Sequence, residues 1–307
     1  MPTPEQESTT RERSVLVCPA TSEKMIAKAA ASDADIAIVD LEDAVAPDRK
    51  ADARAAVIDA FASLDWGGKP RAYRVNAVDT PWCYRDIIEV VEAVPHLVDR
   101  IVVPKVQDEA QVAFVDQLLR QVEGAVGRTT AIGIDVQVES ARGLTNCTSI
   151  AQAADRINAL VFGPGDLAAT LGMPLTAIGT PDEWDATYPG HRFGYAMHEM
   201  LVAARAAGKH VIDGPYADYR DLDGFRRSAR IARALGYDGK WCIHPSQIEM
   251  ANEVFSPTEA EIANARAVVA AYDAAVQAGT GSLTHAGVMV DAATVRMAES
   301  VLARAGN

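Results

Sequence analysis

Short runs of β-branched and other apolar residues recur along the chain, each followed by an amphipathic, Ala-rich stretch. That alternation predicts repeated βα units around a parallel sheet. The runs are SVLVCPA (14–20), DIAIVDLED (35–43), RAYRVN (71–76), RIVVPKV (100–106), AIGIDVQVES (131–140), INALVFGPGD (157–166), HVIDGP (210–215) and GKWCIHP (239–245). Between them, SEKMIAKAAAS, DRKADARAAVIDAF, DEAQVAFVDQLLRQV and DLDGFRRSARIARALG read as helices, the last capped by Asp221. Eight units predict an α/β chain folded as a (β/α)8 TIM barrel, a fold that typically takes about 250 residues.

Three segments lie outside the repeat. The polar start, 1–13, reads as a disordered tail, and the barrel is expected over 14–255. Residues 173–193, MPLTAIGTPDEWDATYPGHRF, form an irregular insertion after the sixth strand and are a candidate lid. Residues 256–307 continue as a helix, a Gly/Thr/Ser linker (GTGSLTHAGVMVD) and a final helix. This extension is too small to fold alone and is expected to act as a helical lid on this barrel or a neighbour's.

The strand ends carry the chemistry. In a barrel the C-terminal strand ends converge on one mouth, and here they bring Asp40, Glu42, Asp43, Arg74, Asn76, Lys105, Glu139, Asp166, Asp213 and His244. Glu139 and Asp166 lie 27 residues apart, one βα repeat, so adjacent strands would present them to a shared ion. Two carboxylates with positions left for water and substrate suit Mg²⁺. The bland alternative is that Asp166 caps the helix DLAATLG and Glu139 caps ARGLTN. In Gly163-Pro164-Gly165, the glycines let backbone approach a ligand. Arg74 suits a bidentate grip on a substrate carboxylate, its alternative being an ion pair with a nearby acid. Lys105 reads equally as a structural ion pair or a functional cation. Lys24 and Lys28, one turn apart on the first helix, could meet phosphates, although a solvated surface explains them too. His244, before a proline, reads as a packed turn element, and Asp291 as the cap of the last helix.

Composition narrows the partners. A formal net charge of −13 over 307 residues disfavours nucleic acid or an anionic membrane as partner. No run reaches the roughly 18 apolar residues a membrane span needs. Cys18, Cys83, Cys147 and Cys242 are widely spaced with no CxxC pair, which fits a reducing, cytoplasmic setting.

The ordered blocks LVCPATSEKMIAKA, DIAIVDLEDAVAPDRKADAR, YRVN, VPKV, VESARGL, FGPGDLAATLG, CIHPSQI and GVMVDAATV resemble the citrate lyase beta-subunit-like branch of the HpcH/HpaI aldolase superfamily, from about residue 14 to the end. The resemblance implies a barrel assembling as a homotrimer or hexamer, with Mg²⁺ bound and coenzyme A as part of the substrate. It implies cleavage of a citramalyl-CoA or malyl-CoA type thioester to acetyl-CoA and a 2-oxo acid, pyruvate or glyoxylate. By resemblance, Glu139 and Asp166 hold the metal, Arg74 and Gly165 meet the substrate, and Glu42 and Asp43 hold metal-bound water. Asp291 would close over a neighbouring subunit's site as the acid. The chain departs from pyruvate-type aldolases, which carry a histidine base after the second strand where this chain reads Glu42-Asp43-Ala44-Val45. Two rival functions stand beside the lyase: a malyl-CoA thioesterase, and a citrate lyase beta-like subunit of a larger complex.

Overall fold

The computed structural model describes residues 11–188 and 190–306. Eight parallel strands close into a barrel: β1 (Ser14–Pro19), β2 (Ile36–Asp40), β3 (Arg71–Arg74), β4 (Arg100–Val103), β5 (Gly133–Val138), β6 (Ile157–Phe162), β7 (His210–Asp213) and β8 (Gly239–Cys242). Each strand pairs with its neighbour in sequence, and β8 returns to pair with β1. The expected TIM barrel is present, strand for strand.

Its interior is filled by Val15, Ile36, Ile38, Ala72, Val102, Ala159, Val161, Ile212 and Trp241. Side chains alternate along a strand, so the inward series Ile36, Ile38 continues to Asp40, and Ala72 continues to Arg74. The polar layer at the mouth is therefore the next rung of the core. Strand β5 differs, because Asp135, Gln137 and Glu139 share one face. Asp135 and Gln137 reach Arg100 and Arg74 across the interior. Its apolar partners Ile134, Val136 and Val138, all fully buried, take the other face.

Two of the expected tail residues are held in place. Arg13 pairs with Asp35 at 2.7 Å, and Glu12 is buried against Arg100 at 2.8 Å at the barrel's N-terminal end. The rest of that tail, residues 1–10, lies outside the described residues. All four cysteines are free and buried. No helix among the described residues is long and apolar enough to cross a membrane.

The insertion is a stapled wall rather than a free lid. It holds a short helix, Glu183–Thr187, with an Asp182/Asp185 capping box. Arg192 ties it together through Asp182, Asp185 and the carbonyl of Pro174. The amide of Ala217 donates to the carbonyl of Ile178 at 2.8 Å, pinning the stretch next to the strand ends.

The chain divides into two compact units, with the barrel unit spanning Glu12–Asn252 and a second unit taking up the chain from Glu253. In the second unit the helices Glu259–Gln277 and Ala292–Gly306 lie where the sequence places them. The expected linker, however, is an antiparallel hairpin of β9 (Ser282–His285) and β10 (Val288–Asp291). Its two-residue turn puts Ala286 and Gly287 at φ 45° and 80°, the left-handed pair that matches strand twist in tight hairpins. The signal is weak in sequence because alanine occupies a position where asparagine or aspartate is usual. Ala265, Val268, Val290, Val295 and Ala298 give the unit a small apolar cluster of its own.

Candidate active site

At the mouth, Asp40 and Arg74 are register partners on β2 and β3. Arg74 donates from Nε and Nη2 to the two Asp40 oxygens, both at 2.7 Å, and from Nη1 to Gln137 Oε1 at 3.2 Å. Its guanidinium lies 5.3 Å from the centre of the Trp241 ring. The bidentate grip expected on substrate is thus taken, on one edge of the guanidinium, by Asp40. What can still turn to a ligand is the Nη1/Nη2 edge, where Nη1 also faces Gln137 Oε1 and Glu42 Oε2, each at 3.2 Å. Arg74 is both paired, as its alternative reading held, and presented to a cavity.

That cavity, about 320 Å³, is lined by Asp40, Arg74, Glu139, Asp166, Ile178 and Trp241, among others. Glu139 is 3% exposed and accepts a hydrogen bond from the Lys105 amide at 2.8 Å. Burial pushes its carboxyl up to about 8; Arg74 opposes the rise, while the charges of Asp166 and Glu42 add to it. Neither acid is a helix cap. The helix after Glu139 is capped by Ser140, and the helix Pro164–Leu171 starts at Gly163, which puts Asp166 inside its first turn.

Glycine matters here for a different reason from the expected one. A Cβ on Gly163 would sit 2.3 Å from Glu139 Cβ, and one on Gly165 would sit 2.8 Å from Ile178 Cδ1. The two positions make room for the protein's own side chains, so Gly165 admits Ile178 to the cavity wall.

Glu42 and Asp43 converge on Lys105. The ammonium donates to Glu42 Oε1 at 2.6 Å and to both Asp43 oxygens at 2.9 and 3.0 Å. Glu42 is buried, which raises its pKa against the pull of Arg74 and Lys105. Its Oε2 lies 3.2 Å from Arg74 Nη1 without a hydrogen-bond partner. Asp43 is mostly exposed; partial burial works against its charge, but the bonds from Lys105 dominate and lower its pKa. Buried Lys50 fixes this loop from below, donating to the carbonyls of Leu41 and Glu42 at 2.7 Å each.

Other expected residues go elsewhere. Lys24 and Lys28 are exposed on the helix Glu23–Ala30, and neither lines the cavity, which Met25 does. Asn76 bonds to Asp86. Asp213 pairs with buried Lys240 and lines a second cavity of about 370 Å³, beneath the insertion, that none of the mouth's acids reach. His244 caps a 3₁₀ turn and stacks on Tyr219 at 4.6 Å. Asp291 caps the last helix, its Oδ1 accepting from the amides of Ala293 and Thr294 and from the Thr294 hydroxyl. Those bonds lower its pKa, the Thr294 amide most.

Gln137, Lys50 and Ile178 have no place in the sequence reading. The alternation Asp-Val-Gln-Val-Glu in β5 was the available signal for Gln137, hidden by reading the run as apolar on both faces. The donor set fits a divalent cation. Two adjacent carboxylates, one pushed toward protonation by burial and further by its neighbours' negative charge, are relieved by a cation between them. Among the described residues no three His, Cys, Asp or Glu side chains form a complete cage. Such a site would leave positions for water and substrate, as Mg²⁺ prefers.

Fold and mouth together define a barrel protein with an acid-rich, cation-ready site at the C-terminal strand ends. The family model of HpcH/HpaI aldolase/citrate lyase matches residues 13–245, and the chain belongs to that family. It is similar to the L-malyl-CoA/beta-methylmalyl-CoA lyase of Cereibacter sphaeroides, with 40% identity over 299 residues covering 95% of this chain and 94% of that protein. It is also similar to a (3S)-malyl-CoA thioesterase of the same species, with 36% identity over 293 residues covering 95% and 94% of the two chains. Among solved structures it resembles the protein CitE of Mycobacterium tuberculosis in complex with magnesium, acetoacetate and coenzyme A. The TM-score is 0.77 at 31% identity, covering 98% of this chain and 100% of that one.

Proposed function

We propose that this protein is a Mg²⁺-dependent CoA-ester lyase. It would cleave a 3-hydroxy-3-carboxyacyl-CoA, of the malyl-CoA or citramalyl-CoA type, to acetyl-CoA and a 2-oxo acid. The observation that carries this reading is the convergence of Arg74, Glu139 and Asp166 on one cavity. The 40% identity to a malyl-CoA lyase supports it.

In the reaction the substrate hydroxyl loses its proton, the bond to the thioester's α-carbon breaks, and the electron pair enters the thioester as an enolate. Uptake of a proton by that carbon completes acetyl-CoA. Mg²⁺, when held by Glu139 and Asp166, supplies positive charge to the oxygens that become negative. Arg74 would turn Nη1 and the second hydrogen of Nη2 to the substrate carboxylate, exchanging its contacts with Gln137 and Glu42, while Asp40 holds the guanidinium at the cavity. Trp241 covers the guanidinium from one side and excludes water there. Coenzyme A supplies the thioester that accepts the electron pair, and Lys24 and Lys28 are the cations assigned to its phosphates. Asp291 is assigned the final protonation, in trans within a homo-oligomer. With its pKa lowered by the helix cap, it enters the cycle as a carboxylate and must first take up the proton it delivers.

A thioesterase acting at the same site is the second reading, favoured by the similarity to the malyl-CoA thioesterase. Incubating the purified chain with malyl-CoA and citramalyl-CoA, with Mg²⁺ or with chelator, and resolving products by mass spectrometry decides between them. Acetyl-CoA and a 2-oxo acid, formed only with Mg²⁺, are expected. Free CoA with an intact hydroxy diacid makes the protein a thioesterase. Activity that appears only with added partner chains makes it a subunit of a larger complex.

A further inference from the structure

Lys105 is one of two non-glycine residues with a left-handed backbone among the described residues, at φ 54°. Such a conformation costs an L-residue free energy and persists only where surrounding contacts hold it. Here both ends of the residue are held. The ammonium is clamped by Glu42 and Asp43, and the amide donates to Glu139 Oε1. A right-handed or extended backbone at this position would turn the amide away from Glu139.

We infer that Lys105 is a positioning residue for the cation site: its ammonium, anchored on Glu42 and Asp43, locks the left-handed turn that aims its amide at Glu139 and so orients the carboxylate for metal. The inference rests on the reading of Glu139 and Asp166 as cation ligands. It gives Glu42 and Asp43 a second task besides the metal-bound water that the resemblance assigns to them, as the anchor that keeps a strained peptide in place. It also explains why the loop after β4 carries lysine at 105 rather than glycine. Glycine would adopt the turn freely but would not be locked in it.

Two substitutions separate the backbone from the charge. Lys105→Gly and Lys105→Met both delete the ammonium, but glycine occupies the left-handed region without strain whereas methionine, unanchored, relaxes out of it. Mg²⁺ affinity of the full chain, measured by titration calorimetry without substrate, reads the difference, and thermal melting confirms that each variant is folded. The Met variant is expected to bind Mg²⁺ at least about tenfold more weakly than the Gly variant, the size typical of losing a hydrogen bond to a metal ligand. Should the Met variant not fold, Lys105→Ala carries the same comparison. Equal affinities in the two variants overturn the proposal, since charge alone then accounts for the residue. Failure of the unsubstituted protein to bind Mg²⁺ overturns the metal reading itself and the inference with it, and that result is distinct from equal affinities.

Discussion

Each end of the barrel holds a buried arginine between two acids, and the two arrangements serve opposite ends. At the N-terminal end Arg100 meets Glu12 at 2.8 Å and Asp135 at 3.2 Å, and the backbone at Glu12 packs so closely that a Cβ on Gly239 would collide with the Glu12 carbonyl oxygen. At the mouth Arg74 meets Asp40 and Glu42, but Asp43, Glu139 and Asp166 join them, with Lys105 and, beneath the loop, Lys50 as the other cations. Five carboxylates there face three cations, around an open cavity. At the closed end burial raises Asp135 to about 6, against the pull of Arg100, so a proton can settle the balance there in mild acid. At the open end the proposed divalent ion would settle it. Incomplete charge balance beside a cavity is what separates a site from a strut.

The contrast breaks most sharply under substitution of the two carboxylates proposed to hold the metal. Glu139→Gln or Asp166→Asn is expected to lower lyase turnover by about 1,000-fold or more, the order of a lost electrostatic stabiliser, while circular dichroism and melting stay native. Residual turnover near that of the unsubstituted enzyme would return both acids to structural roles. Arg100→Met should do the reverse. Stripping one partner from a buried ion cluster typically costs about 3–5 kcal/mol, so urea unfolding should shift strongly while turnover per folded molecule holds. Arg74→Lys keeps charge but loses the two-edged fork shared with Asp40, and kcat/KM should fall roughly tenfold or more, about 1.4 kcal/mol. Unchanged kinetics would mean that Asp40 alone is its business.

Smaller effects sharpen the picture. Ile178→Ala opens the cavity wall beside Gly165, and relative kcat/KM should move toward the bulkier 2-oxo acid in the condensation direction, by roughly tenfold for a few methylenes of space. A constant ratio would place Ile178 outside the acyl pocket. At the closed end, Asp135 titrates near 6 in the folded state and near 3.8 as an ordinary aspartate. The folded chain therefore holds a proton that the unfolded chain has released, and this group's contribution, full below about pH 4, is lost as pH rises through about 6. Asp135→Asn should remove that dependence, so its unfolding free energy relative to the parent should rise between pH 4 and 7. A flat difference across that range would show that Asp135 is not the group that titrates.

The sequence discloses the barrel because its signal is repeated: eight apolar runs, each at a length only a strand fits, with helices of regular period between. The two carboxylates proposed to hold the metal stand out for the same reason, one repeat apart at two strand ends. What local pattern hides is direction. Asp135, Gln137 and Glu139 look like interruptions in an apolar run until the barrel closes and turns one whole face of β5 inward. The two readings of Arg74, substrate grip or ion pair, stay open in sequence because its partner, Asp40, is 34 positions away and becomes a neighbour only through the β2–β3 register. The hairpin at 282–291 was missed because its turn begins with alanine. Lys105 could not be resolved, since a left-handed backbone on lysine has no signature in the letters VVPKV.

Gly163 bears on how this protein can change over generations. Every other amino acid carries the Cβ that would collide with the Glu139 side chain at 2.3 Å, and with its Oε2 at 2.5 Å. No single mutation at 163 can therefore be neutral while Glu139 keeps its place. A lineage that gave up the metal would be free to vary position 163 only after position 139 had shrunk, so the order of those two losses is fixed by geometry.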